Sequence, residues 1–144
     1  MYRTQSIILQ KQIIRDNKIR ISLFSKEFWK VSAWWTSAEF GDIGSIVEVL
    51  IDRKNWQNHI KKMEVIEHPS LFWWSYEHIF AYLELIAILY TSLPDGVDQW
   101  NLYWEIASFL KTLNKDIGKV WNIIIMQARV LKYLWYLNPE RYHI

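Results

Sequence analysis

The sequence contains no cysteine. That absence excludes a disulfide scaffold, a thiolate zinc site, an iron–sulfur cluster and a thiol nucleophile, and it fits a reducing cytoplasm. Glycine is scarce: there are 4, where average usage of about 7% would give roughly ten. Gly41, Gly44, Gly96 and Gly118 are scattered, and none sits in a GxxxxGK(S/T) or GxGxxG pattern, so no phosphate-cradling loop is encoded. Long apolar runs are also missing. Glu84 interrupts stretch 80–93, and Lys119 precedes and Arg129 and Lys132 punctuate stretch 120–137. Neither offers the roughly 20 uninterrupted apolar residues of a membrane span. Gln10, Lys11 and Gln12 break the N-terminal apolar run too early for a signal peptide.

What is present is a globular composition with one anomaly. Hydrophobic residues make up 51% and charged residues 22%, enough apolar material for a core and too little charge for a disordered chain. Tryptophan, normally among the rarest residues, is counted at 10. The net charge of +2 is unevenly spread. Residues 1–38 hold seven Lys and Arg against two acids, whereas residues 70–144 hold six basic and seven acidic residues. A basic N-terminal part on a neutral remainder suits a polyanion partner. A solvated, lysine-rich sheet face gives the same count.

Residues 1–68 read as strands. Ile19, Ile21 and Leu23 alternate with Lys18, Arg20 and Ser22, and Val31 and Ala33 with Lys30 and Ser32. Val47, Val49 and Ile51 alternate with Ile46, Glu48 and Leu50, and Met63 and Val65 with Lys62 and Glu64. This period of two marks half-buried antiparallel strands. Segment 6–14 adds a fifth, Asp16-Asn17 supplies a break, and 52–58 reads as a polar turn. Five such strands suit a closed antiparallel barrel of the OB type, with an SH3-like barrel as the alternative.

From Pro69 the period becomes helical, so 69–144 is predicted as a small helical bundle and the chain as α+β. Tyr76, Ile79, Phe80, Leu83, Ala87 and Tyr90 trace the first helix, which Leu93-Pro94-Asp95-Gly96 stops. Tyr103, Ile106, Leu110 and Leu113 trace the second, with Asp98 as N-cap. The third runs from about Lys119 to Leu134. Its run Ile123-Ile124-Ile125-Met126 predicts the central helix of the bundle.

No nucleophile–base–orienter set can be assembled, so an enzyme is not predicted, and no cofactor is called for. His59, His68, His78 and His143 lack metal-ligand spacing and read as surface or rim residues. The basic residues are more informative. Lys18 and Arg20 share a strand face, Lys30 lies on the next strand, and Lys26, Phe24 and Phe28 sit at the connection. Arg53 and Lys54 mark a hairpin tip, and Lys61 and Lys62 its return strand. These eight cations, Lys18, Arg20, Lys26, Lys30, Arg53, Lys54, Lys61 and Lys62, are the candidate DNA contacts, acting mainly through phosphates. Phe24 reads as a core residue, while Phe28 fits either core or base stacking.

Three segments then resemble one family. Thr4-Gln5-Ser6-Ile7-Ile8-Leu9, the acidic turn at Asp16, and Ile21-Ser22-Leu23-Phe24-Ser25-Lys26-Glu27-Phe28-Trp29-Lys30-Val31-Ser32-Ala33 resemble the N-terminus of the recombination mediator RecO family. Leu131-Lys132-Tyr133-Leu134-Trp135-Tyr136-Leu137-Asn138-Pro139-Glu140 resembles its L-x-x-L-G-Y-x-P-E segment. The resemblance implies an OB barrel (1–68) followed by a helical domain (69–144). It implies a non-enzymatic DNA repair and recombination protein that binds single- and double-stranded DNA and anneals complementary strands. Such a protein helps recombinase load on strands coated with single-stranded DNA-binding protein. The implied partners are DNA, the RecR protein, the tail of the single-stranded DNA-binding protein and, indirectly, the recombinase filament. The implied location is cytoplasmic, at the nucleoid, with no membrane. Many members continue into a zinc-binding Cys cluster. Its absence implies a short form, a truncation, or a member without that module. Two readings outside the family remain: a barrel-based protein-interaction module, and an RNA-binding OB protein.

The tryptophans bear on the same comparison. Trp29, Trp35 and Trp135 fall where the family pattern has glycine. Asn55-Trp56 occupies a predicted hairpin tip, where Asn-Gly is the favoured pair. Trp34-Trp35 and Trp73-Trp74 lie at element boundaries. The expectation is that many of the ten are UGA codons that the source reads as glycine. Otherwise Trp29, Trp34 and Trp35, beside Lys30, are the base-stacking candidates.

Overall fold

A computed structural model of the chain describes residues 1–15, 18–36, 42–69, 76–93, 100–115 and 125–132. Five strands come first: β1 (Tyr2–Arg15), β2 (Lys18–Ser25), β3 (Trp29–Trp35), β4 (Ile46–Lys54) and β5 (Gln57–Glu67). Two helices follow, α1 (Tyr76–Ser92) and α2 (Trp100–Lys115), and residues 125–132 are also helical. The strands close into a barrel in the order β1-β2-β3-β5-β4.

The barrel is mixed rather than wholly antiparallel, as the sequence pattern had suggested. β3 and β5 pair in parallel, Ala33 with Asn58 and Trp34 with His59. The reason is parity. Neighbours in an antiparallel ring must alternate in direction, and an odd ring of five cannot do so all the way round. One parallel seam is therefore unavoidable on closure. Register shifts in β1–β2 and β4–β5 add the local bends that closure of so small a sheet requires.

Two apolar clusters follow from the period of two. Ile8, Ile21, Leu23, Val47, Val49 and Ile51 point into the barrel. Ile7, Leu9, Phe24 and Ile46 point outward and are equally buried, because the helices cover them. This is why Ile7-Ile8-Leu9 is buried without a break. Phe24 has no exposed surface, in line with its reading as core, and meets Tyr103 of α2 edge-on at 5.6 Å. Burying such a ring contributes about 2–3 kcal/mol. Phe28 is 41% exposed and lies against Tyr2.

Two helical expectations change. The buried side of α1 is Ala81, Tyr82, Leu85, Ile86 and Leu89, whereas Tyr76, Phe80, Leu83 and Ala87 of the predicted stripe are exposed. α1 is apolar nearly all round, so spacing alone could not tell its two sides apart. The described part of the third helix is one-sided, with Met126 and Val130 buried but Ile125 and Leu131 exposed. Its buried side joins the same apolar cluster as α1 and α2. Gln127 donates to the Ala81 carbonyl at 3.0 Å, and Arg129 faces Glu105 at 3.8 Å. On α2, Tyr103, Ile106 and Leu110 are buried as their spacing predicts. The turn expected over 52–58 shrinks to Asn55-Trp56, since β4 runs to Lys54 and β5 starts at Gln57. Asp16-Asn17, Asp98, Trp73-Trp74, Ile123-Ile124 and positions 133–144 lie outside the described residues.

Candidate nucleic-acid interface

The alternation that sends Ile19, Ile21 and Leu23 into the barrel sends Lys18, Arg20 and Ser22 out of it. On β3, Lys30, Ser32 and Trp34 share the outward parity. Registry sets Arg20 opposite Trp34 and Ser22 opposite Ser32. Across the parallel seam Trp34 meets His59. The result is a cleft of about 260 Å³ lined by Lys18, Trp34, Thr36, Gln57 and His59.

Polar contacts hold this surface in place. The Arg20 Nε donates to Ser32 Oγ at 2.8 Å, which lays the guanidinium across β3. Asn58 Nδ2 donates to the Ser32 carbonyl at 3.3 Å, bringing the tip end of the β4–β5 hairpin against the same strand. The hairpin tip carries Arg53, paired in register with Asn58, and Lys54, paired with Gln57. Both are exposed, and Lys54 stands 3.6 Å from Asp52. The Arg53 guanidinium lies 5.8 Å from the centroid of the Trp56 ring. It also reaches Tyr2 electrostatically, opposing the burial that pushes the Tyr2 phenol up.

The eight predicted cations therefore divide. Lys18 lines the cleft, Arg20 is in register with its Trp34, and Arg53 and Lys54 lie on the hairpin that supplies its Gln57 and His59. Lys61 is exposed at a register shift in β5. Lys62 borders a shallow depression with Arg3, Glu48 and Glu64, a patch of mixed charge. Lys26 sits at the other end of β2, its Nζ 4.6 Å over the Trp104 ring of α2. Lys30 is engaged with the helices: its Nζ donates to the carbonyls of Tyr90 at 2.8 Å and Leu93 at 3.3 Å. A cation there satisfies carbonyls left unpaired at the C-terminal end of α1 and complements its dipole.

Thr36, Gln57 and His59 were not among the predicted contacts, and Trp34 was one only as a base-stacking candidate, on the reading that the tryptophans are genuine. The parity of β3 already placed Trp34 outward with Lys30. The seam that brings His59 and Gln57 to it was not readable, because it joins segments that are not neighbours in the chain. Trp35, by contrast, is 9% exposed and belongs to the barrel interior.

A second concavity of about 320 Å³ lies between β1 and α1, lined by Lys11, Asp42, Ile43, Pro69, Ile79, Tyr82 and Leu83. It is mostly apolar. Burial lowers the Lys11 ammonium from its ordinary value, and Asp42 opposes that shift. Among the described residues no group of three or more His, Cys, Asp or Glu is placed to hold a metal ion. No helix among them is long and apolar enough to cross a membrane. No family model matches the chain, and no curated protein matches it.

Proposed function

We propose that the protein is a non-enzymatic DNA-binding protein of the recombination-mediator type, with a barrel of the OB type. The observation that carries the reading is the meeting of Lys18, Arg20 and Trp34 on the outer face of β2–β3, flanked by Arg53 and Lys54. OB barrels bind oligonucleotides on this face, between the loops after β1 and after β4. The order β4-β1-β2-β3 around the barrel, with β5 closing it, supports this reading, since OB barrels are five-stranded Greek keys. Cations along a groove neutralise phosphates, and a half-buried indole between them offers a face on which a base stacks. The resemblance of residues 4–9, 21–33 and 131–140 to RecO extends the reading to strand annealing, to displacement of single-stranded DNA-binding protein and to partnership with RecR.

The test is anisotropy of labelled single- and double-stranded DNA across a salt series. The expected result is binding at low salt, with log affinity falling linearly in log salt. Annealing of complementary strands coated with single-stranded DNA-binding protein is then measured in the same buffer. Absence of DNA binding at low salt, or binding indifferent to salt, overturns the reading. Tighter binding of RNA redirects it to RNA. A second reading, a protein-interaction module, is favoured by the apolar concavity between β1 and α1 and by the exposed Tyr76, Phe80 and Leu83 beside it.

A further inference from the structure

Among the described residues, positive φ occurs at four positions: Gly44 at 88°, Asn55 at 52°, Trp56 at 64° and Trp29 at 61°. Glycine has no Cβ to clash there, and asparagine tolerates the region through local hydrogen bonding. Tryptophan does neither, and for a bulky side chain this conformation is an outlier costing about 1–2 kcal/mol. Two of the four left-handed positions are thus held by one of the residue types least suited to them.

Both positions belong to turns whose geometry demands glycine. Asn55 and Trp56 are the whole loop between the paired Lys54 and Gln57, and both have positive φ. That is a type I′ hairpin, for which Asn-Gly is the preferred sequence. Trp29 pairs with Ser25 and closes the β2–β3 turn, whose Phe28 amide donates to Ser25 Oγ at 2.7 Å. A left-handed residue closing such a turn is again a glycine position.

Backbone strain in a folded protein persists where surrounding packing enforces it. Trp56 is 90% exposed, so no packing enforces it. Strand register alone sets its φ. Trp35 and Trp104 differ. The first is inside the barrel, and the second lies within α2, where glycine costs about 1 kcal/mol relative to alanine. Neither shows a backbone reason to be glycine.

We infer that positions 29 and 56 are glycine in the protein made by its own cells, specified by UGA codons that those cells read as glycine and that a code assigning UGA to tryptophan renders as tryptophan. One substitution rule then accounts for both strained turns, and it moves the tryptophan and glycine counts of 10 and 4 toward ordinary usage. It also leaves the β4–β5 tip with Arg53 and Lys54 but no indole.

The test is mass spectrometry of the protein purified from its native cells, on the tryptic peptides covering 27–30 and 55–61. Glycine mass at both positions is expected, and tryptophan in either peptide overturns the assignment. Independently, W29G and W56G are made in the recombinant chain as given. Each is expected to raise the melting midpoint by about 3 °C. A fall at either site shows that the turn is built around the indole and overturns the argument from strain.

Discussion

The Tyr82 hydroxyl donates to the Gly44 carbonyl at 2.8 Å, and the Tyr82 ring occupies the space a side chain at Gly44 would need. A Cβ on Gly44 would lie 2.5 Å from Tyr82 Cε1, and the φ of 88° already favours glycine. This contact locks α1 onto the turn that leads into β4. Gly44→Ala is expected to destabilise the fold by about 2–4 kcal/mol through strain and overpacking. Tyr82→Phe should cost about 1–2 kcal/mol, because it leaves the carbonyl without its donor. Urea denaturation measures both. An unchanged midpoint for Gly44→Ala would show that the contact does not form.

Tyr103 makes the opposite case. It is fully buried, and its hydroxyl has no hydrogen-bond partner among the described residues. Tyr103→Phe keeps the edge-on contact with Phe24 and removes an unsatisfied polar atom. The expected result is equal or higher stability, by up to about 1–2 kcal/mol. A loss of that size would reveal a partner for the hydroxyl.

The two tyrosines also set an alkaline limit. Burial pushes both phenols above the ordinary value of 10.0, with Glu27 adding to the shift at Tyr103. Above pH 10 the unfolded chain gives up these protons while the folded chain keeps them. Stability is therefore intact below pH 10 and falls as the pH rises beyond it, by about 1.4 kcal/mol per unit for each group. Denaturation midpoints between pH 9 and 12 check this. The fall should be shallower in Tyr103→Phe than in the parent chain.

Lys30 and the cleft cations should separate cleanly. Lys30→Met removes two donors from the end of α1 and is expected to cost about 1–2 kcal/mol of stability, with DNA affinity changed less than about twofold. Lys18→Ala and Arg20→Ala should leave the melting midpoint within about 2 °C, lower DNA affinity, and each reduce the salt slope by about one. Paired calorimetry and salt titrations test it. Equal DNA losses in all three variants would move the binding face off the cleft.

Trp34→Ala separates stacking from charge. It should weaken single-stranded DNA by about 1–3 kcal/mol while leaving the salt slope unchanged, since it removes no cation. A drop confined to double-stranded DNA would contradict a stacking role.

The sequence by itself determined the class of each part of this protein. Alternation of Ile19, Ile21 and Leu23 with Lys18, Arg20 and Ser22 specifies a strand and its two faces, because successive side chains must point oppositely. The same local logic marked Asn55-Trp56 as the hairpin tip and as an unsuitable place for an indole, which its φ of 64° matches. Tertiary structure decided what depends on segments distant in the chain. The β3–β5 seam is parallel because a closed ring of five cannot alternate. That seam, not any motif, brings Gln57 and His59 to Trp34. Which side of α1 is buried was also decided there, since a helix apolar all round carries no preference until the outward Ile7, Leu9, Phe24 and Ile46 of the barrel cover one side. Lys30 shows the limit most plainly. Its alternation placed it outward beside Trp34 and Arg20, and only the arrival of α1 turned its charge from solvent to the carbonyls of Tyr90 and Leu93.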